Sequence, residues 1–405
     1  PSTPWGAFLA WQGEFWNRDV LVLIAQFSIN LILCTTLARA PLVQRGLIRL
    51  ARLPRSEAGA IWLISMVSIA LSLVSWALCI VAGALFAQEV CRQAKLKRLH
   101  LHYPLAIAAG YLGMMTWGCG FTSSAPLMSA TPGHFMEKLI GIVPISATIG
   151  SATSLVILLS LVVACPWLMA KLHPAPKSAV EFAPPEEPVV EAPTGKKSFG
   201  DRLETSQVLI KLAALPVVLF VVNHYFIQKK GLTLDSMNLV FLAAVLLLYR
   251  SPREMLFELS RSSEAVWGIV FQFPFYAGLM GLLKGTGLGL LMASFFAEIS
   301  TPATWPTIGL LSQTFLNLFI PSGGTQWLVT SELLVETGRR LGFSDAHSIL
   351  IEVMGDQLAN MVTPMWALPA LALARLRARD ILGYTAVVMA LGAVIMALGL
   401  TLIRP

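Results

Sequence analysis

Charge is scarce in this sequence. Asp, Glu, Lys and Arg make up 13% of its 405 residues, against about 25% in a soluble globular chain. Cysteine is scarce too. Cys34, Cys79, Cys91, Cys119 and Cys165 are scattered, mostly inside apolar runs, and none forms a C-x-x-C pair. They read as small packing residues rather than as disulfides or metal ligands. The six histidines show no ligand spacing, and there is no Walker loop, no H-E-x-x-H and no Ser/His/Asp arrangement. Ser123 and Ser124 are potential nucleophiles, but no histidine or lysine is placed to activate them. These absences argue against an NTPase, a zinc hydrolase and a disulfide scaffold, and no cofactor is expected.

Apolar residues are abundant: 56% of the chain, with a mean hydropathy of +0.71. Several runs reach the roughly 20 apolar residues needed to cross a bilayer. The net charge of +7 and pI near 9.3 come from cations in loops beside those runs. Membrane topology produces that pattern, so nucleic acid is not an expected partner and a lipid bilayer is. Residues 20–38, 61–87, 206–227 and 381–403 read as spans, and 39–60 as a basic amphipathic surface helix. A Pro-rich linker, 171–205, divides the chain into 1–170 and 206–405.

Two stretches break the apolar pattern at what should be membrane depth. In 104–133, Gly118, Gly120, Thr122, Ser123, Ser124, Pro126 and Pro132 replace leucine; in 305–341, Pro321-Ser322-Gly323-Gly324 does the same. Non-helical backbone survives in a bilayer only where protein buries it or where it lines a polar cavity. Each stretch is therefore expected to be a re-entrant hairpin. A further break falls near 355–364 in the run 348–374. The halves also match one another weakly at an offset of about 205 to 211 residues, as when Asn30 is set against Asn238. Duplicated units with broken elements are the usual plan of a secondary transporter. The residues alone leave open whether the copies are inverted. They also leave a conflict: the basic stretches 39–60 and 88–103 flank a single expected span, so one of them violates the positive-inside rule.

Asp356 lies inside the broken run, with Glu352 four residues earlier on the same helix face. An ionisable residue within a span is a functional candidate by default. Lys284 reads as a snorkelling end of its run, with contact to a substrate carboxylate as the sharper alternative.

The combination of Phe271-Gln272-Phe273-Pro274-Phe275-Tyr276, Phe319-Ile320-Pro321-Ser322-Gly323-Gly324 with Gln326-Trp327, Gly355-Asp356-Gln357 with Asn360, and Ser124-Ala125-Pro126-Leu127 resembles the bacterial short-chain fatty acid transporter family. That resemblance implies an all-α polytopic membrane protein of the ion-transporter superfamily. It would have two inverted repeats, each with a re-entrant hairpin and a broken helix, and a homodimer as its assembly. It also implies uptake of short carboxylates such as acetoacetate or butyrate across a bacterial inner membrane. Thr325 stands where the family usually has a third glycine, and Leu358-Ala359 where it has Trp-Thr.

The expected function is secondary active transport of short-chain fatty acids or related small monocarboxylates, coupled to H⁺ or Na⁺, with no enzyme activity. Thr122, Ser123, Ser124, Ser322, Gly323, Gly324, Thr325, Gln326, Asn360 and Thr363 would bind substrate, and Asp356 would couple it to the ion. A Na⁺ ion would sit among Ser124, Ser322, Asp356 and Asn360. The rival readings are an intramembrane serine hydrolase and an anion channel.

Overall fold

A computed structural model describes residues 3–183, 198–231, 233–264 and 266–403; these are helical, with no strand among them. Pro184, Pro185, Pro188 and Pro193 of the expected linker lie outside the described residues. The helices start where the sequence supplies an acceptor or a proline. Ser56, Ser151, Ser206, Ser251 and Ser344 each accept a hydrogen bond from a backbone N–H of the following first turn. Pro41, Pro252 and Pro364 occupy first helical positions, where the missing N–H leaves nothing unsatisfied.

In the first half, α1 (Pro4–Phe15) lies along a later helix. It is followed by α2 (Arg18–Arg39) and the amphipathic α3 (Pro41–Ala51). Next come α4 (Glu57–Val74) and α5 (Trp76–Leu96), then α6 (Tyr103–Tyr111). Two short 3₁₀ turns, Leu112–Met115 and Trp117–Cys119, lead into α7 (Ser124–Ser129). The short α8 (Glu137–Ile140) precedes the crossing helix α9 (Ala152–Lys171).

The apolar run 61–87, expected to be one span, is two. Ser75 alone adopts extended backbone (φ −159°, ψ 134°) and separates α4 from α5. At the far ends Lys97 Nζ donates to Arg52 O (2.5 Å) and Pro54 O (2.8 Å), and His100 N donates to Glu57 Oε1 (3.3 Å). The chain therefore doubles back at Ser75, and the ends of α4 and α5 meet. This removes the charge conflict, because both basic stretches lie on the same side of the molecule. It also corrects the first hairpin. Residues 104–133 do not fold back on themselves; α7 packs against later helices, not along α6. They form a helix broken between Cys119 and Ser124, and α4–α5 is the hairpin of this half.

The second half begins with α10 (Phe199–Glu204), α11 (Gln207–Val222), α12 (Leu234–Leu248) and α13 (Pro252–Ser263). After them, α14 (Trp267–Gly285) bends into α15 (Leu288–Glu298). The stretch 305–341 forms two helices joined at Ser322, α16 (Trp305–Asn317) and α17 (Gly323–Arg340). The expected break follows, between α18 (Asp345–Ala359) and α19 (Pro364–Ala374), and α20 (Ala378–Leu402) ends the fold.

The halves share a set of corresponding elements, but not at the offset read from the sequence. Ile24–Arg39 meets Pro41–Ala51 at 65°, and Val270–Gly285 meets Leu288–Glu298 at 64°. Thus α2–α3 corresponds to α14–α15, hairpin α4–α5 to hairpin α16–α17, broken helix α6–α7 to α18–α19, and α9 to α20. Phe27 and Phe273, at like places in the bent pairs, touch edge to face at 5.7 Å. Asn30 and Asn238, matched in the sequence, do hydrogen-bond (2.6 Å), but as neighbours on α2 and α12 rather than as equivalents.

The two copies run in opposite senses. Hairpin α4–α5 and the start of α6 share one face with the end of α19, since Gln88 Nε2 donates to Leu373 O (2.8 Å) and Tyr103 Oη to Ala374 O (2.9 Å). Hairpin α16–α17 opens on the other face. There Arg339 donates to Leu139 O (2.8 Å) and pairs with Asp345 at the start of α18 (2.7 Å). Thr153 Oγ1 donates to Ile403 O (2.9 Å) where α9 starts and α20 ends. Among the described residues, five helices are long and apolar enough to cross a membrane, and each bent pair would add one more span. The outer helices expose leucine-rich stripes: Leu159, Val163 and Trp167 on α9, and Leu212, Leu215 and Leu219 on α11. Exposed apolar surface of this extent suits contact with lipid.

Candidate functional site

The two broken helices cross at their breaks. Tyr111 Oη donates to Asn360 O (2.8 Å), and Gly118 N donates to Gln357 Oε1 (2.9 Å). Breaking a helix frees carbonyls at the end of one limb and N–H groups at the start of the next. Both hairpin tips, Ser75 and Ser322–Thr325, point to the same region. Between them lies a cavity of about 900 Å³.

Nine of the eleven expected site residues line this cavity: Thr122, Ser123, Ser124, Ser322, Gly323, Gly324, Thr325, Asp356 and Asn360. Gln326 and Thr363 do not. Gln326 is fully buried behind the tip, where its Nε2 donates to Gln313 O (2.9 Å) and Gln313 Oε1 (2.8 Å). Thr363 returns its hydroxyl to Ala359 O (2.9 Å), one turn back on its own helix. Both support the breaks rather than face the cavity.

Asp356 is 1% exposed. Asn317, at the end of α16, donates through Nδ2 to Asp356 Oδ1 (2.5 Å) and to Gln326 Oε1 (2.7 Å). The hairpin is thereby tied to the carboxylate. Around the Asp356 carboxylate, Asp356 Oδ2, Asn360 Oδ1 and Asn317 Oδ1 are buried acceptors with no partner among the described residues. Buried acceptors left unpaired are costly, so a cluster of them fits a cation or a proton. The Na⁺ set proposed from sequence is partly assembled. A Cβ built on Gly323 would lie 2.7 Å from Asp356 Oδ2 and 3.5 Å from Ser124 Oγ, so those two oxygens flank the Gly323 backbone. No group of three or more His, Cys, Asp or Glu side chains is placed to hold a metal ion, among the described residues.

Donors are also left over. The indole N–H groups of Trp117 and Trp366 and the hydroxyls of Thr122 and Ser123 are buried without partners, and all four residues line the cavity. Gly323, Gly324 and Thr325 open the 18-residue α17, whose first N–H groups carry the positive end of the helix dipole. Lys284 lines the cavity as well, with Glu14, Asn17 and Asn30, and another part of the wall is aromatic. Trp76 meets Trp366 at 5.0 Å and Phe27 at 5.2 Å between ring centres. Ser75, Trp76 and Phe27 were missed in the sequence. The spacing of Ser68, Ser72 and Ser75 was the available signal, since it puts hydroxyls on one side of an otherwise apolar run.

Similarity to known proteins identifies the family. The family model described as short chain fatty acid transporter matches residues 2–403. A protein of Escherichia coli (strain K12) named for short-chain fatty acid transport is 31% identical over 406 residues, covering 99% of this chain and 91% of the relative. A Haemophilus influenzae protein with the same name is 29% identical over 410 residues, covering 98% and 90%. Among solved structures, the Alcanivorax borkumensis YdaH transporter is similar with a TM-score of 0.51 at 15% identity, covering 98% of this chain and 86% of that one. At that identity the likeness speaks to fold alone. The chain belongs to the short-chain fatty acid transporter family.

Proposed function

We propose that the chain is a secondary active transporter carrying short-chain fatty acids or related small monocarboxylates across a bacterial inner membrane, coupled to H⁺ or Na⁺. The observation that carries this reading is the cavity itself: unpartnered donors and unpartnered acceptors occupy one polar centre beside an aromatic wall. A short fatty acid matches it in two parts. Its carboxylate takes the free N–H and O–H groups of Trp117, Thr122, Ser123 and the start of α17, while its acyl chain lies against Phe27, Trp76 and Trp366. The coupling ion takes Asp356 Oδ2 with Ser124 and Asn360. Hairpins α4–α5 and α16–α17 enter the bilayer from opposite faces and meet at its middle, as inverted repeats require.

Ser123 Oγ has no hydrogen-bond partner among the described residues, which favours the transporter reading over a hydrolase whose serine would be paired with a base. Uptake of labelled butyrate or acetoacetate into proteoliposomes, with pH and Na⁺ gradients imposed separately, tests the proposal. Saturable accumulation above the external concentration, driven by one of the gradients, is expected. Conductance without accumulation would make it a channel, and labelling by a serine-reactive probe would favour the hydrolase.

A further inference from the structure

Glu352 plays no part in the site described so far. It is 0% exposed, and neither of its carboxyl oxygens has a hydrogen-bond partner among the described residues. It precedes Asp356 by four residues on α18, so the two carboxyl groups share a helix face, with Cβ atoms about 5–6 Å apart. We propose that Glu352 is a second proton-binding residue, placed behind Asp356 and away from the cavity, and that H⁺ coupling runs through this pair. The role in coupling rests on the transporter reading; the bound proton does not.

Among the described residues, the elements packed around Glu352 bring no lysine or arginine into its buried surroundings. The helices packed on α18 are α16, α17, α20 and α7, with the two 3₁₀ turns before α7. Neither α16, α7 nor either turn contains a charged residue. The charged residues of α20, Arg379 and Asp380, lie in its first turn at the opposite face of the molecule. On α17, Glu332, Glu336, Arg339 and Arg340 are all exposed, on the side turned away from the core. On α18 itself, Asp345 pairs with Arg339 at the surface, and His347 lies in the first turn. Beside the buried His347, the charged neighbour on this helix is Asp356, another carboxylate.

An anion without donors, beside a second anion, is untenable in such a place. The hydrogen bonds decide which carboxyl is charged. Asn317 donates to Asp356, and nothing donates to Glu352. Asp356 therefore takes the charge and Glu352 the proton. Transfer is one step: the O–H bond of Glu352 breaks, an O–H bond forms at Asp356, and the negative charge moves to Glu352. A proton entering past Ser348 and the Asp345 end of α18 then reprotonates Glu352, and release of the Asp356 proton into the cavity restores the starting state.

Infrared spectroscopy of the protein in lipid at neutral pH reads the proton without any need for transport. The C=O band of a protonated carboxyl group is expected in the wild type and in D356N, and is expected to be missing in E352Q. Its absence from both the wild type and D356N overturns the proposal. In proteoliposomes, E352Q is expected to lower accumulation driven by a pH gradient about tenfold and to flatten the pH profile of exchange. E352D is expected to restore the pH dependence. Wild-type accumulation and pH profile in E352Q overturn the coupling role. A band that behaves as expected in a wild type that moves no short acid overturns the transporter reading instead, and leaves the bound proton standing.

Discussion

At Gly323 the missing side chain is the functional feature. A methyl group there would press on Asp356 Oδ2 at 2.7 Å, whereas one on Gly324 would meet only Met128 Sδ at 3.5 Å and Ser124 Cβ at 3.8 Å. Gly323→Ala is therefore expected to displace the carboxylate and lower uptake about tenfold or more, with Gly324→Ala losing much less. Equal losses from the two variants, at matched membrane abundance, would show that the spacing around Asp356 is not what the glycine protects. Asp356→Asn keeps the shape and removes the charge. It is expected to insert normally yet lose gradient-driven accumulation, and normal accumulation with an unchanged response to pH and Na⁺ would make Asp356 structural. Most of this site was legible because polar and helix-breaking residues stand out in an apolar chain. Gln326 and Thr363 look the same in sequence, but only three-dimensional packing shows that their hydrogen bonds are spent on Gln313 and Ala359.

Among the elements, what could be read and what could not divide by the strength of the local breaker. The Pro321-Ser322-Gly323-Gly324 tip and the break before Pro364 announce themselves through residues that cannot continue a helix. The tip at Ser75 does not, since a single serine in extended backbone interrupts 61–87 without proline or glycine. Assigning the first hairpin to 104–133 followed from that, and so did the wrong offset for the repeat. Tertiary contact, not local sequence, turns the chain at Ser75. Helices α5 and α6 approach so closely that a Cβ on Gly110 would lie 2.6 Å from Gly83 O, and one on Gly83 would run into Gly110 O. Here the obstruction is backbone, which cannot swing aside. Gly83→Ala and Gly110→Ala are each expected to destabilise the protein by about 3 kcal/mol or more. Gly46→Ala, in α3 with nothing within 4 Å of the new Cβ, should be neutral or stabilising by roughly 0.5–1 kcal/mol. Thermal unfolding in detergent checks all three, and a Gly83→Ala protein as stable as the wild type would mean that the two helices separate readily.

Across the whole molecule, the placement of charge predicts an orientation. Contacts bring the basic segments together on one face. Lys97 reaches Arg52 O and Pro54 O, and His102 N donates to His173 Nε2 (3.0 Å) at the end of α9. Arg39 pairs with Glu258 (3.3 Å), and the carbonyls just before Arg375 and Arg377 receive bonds from Gln88 and Tyr103. The opposite face, with Leu139, Ala297, Asp345 and Ile403, has Arg339 and Arg340 engaged by Asp345 and by backbone carbonyls. The positive-inside rule predicts that the first face is cytoplasmic. This was unreadable while 61–87 counted as one span, because its two basic flanks then fell on opposite sides. Two exposed positions test it in a background with all five cysteines replaced: Ser178→Cys on the basic face and Ala303→Cys on the other. A membrane-impermeant thiol reagent added to intact cells is expected to label the cysteine at 303 and spare that at 178, which should react only in inside-out vesicles. The reverse pattern would place the basic face outside. Labelling of both positions in intact cells would mean that they do not lie on opposite sides of the bilayer, and the inverted arrangement of the two hairpins would fall with it.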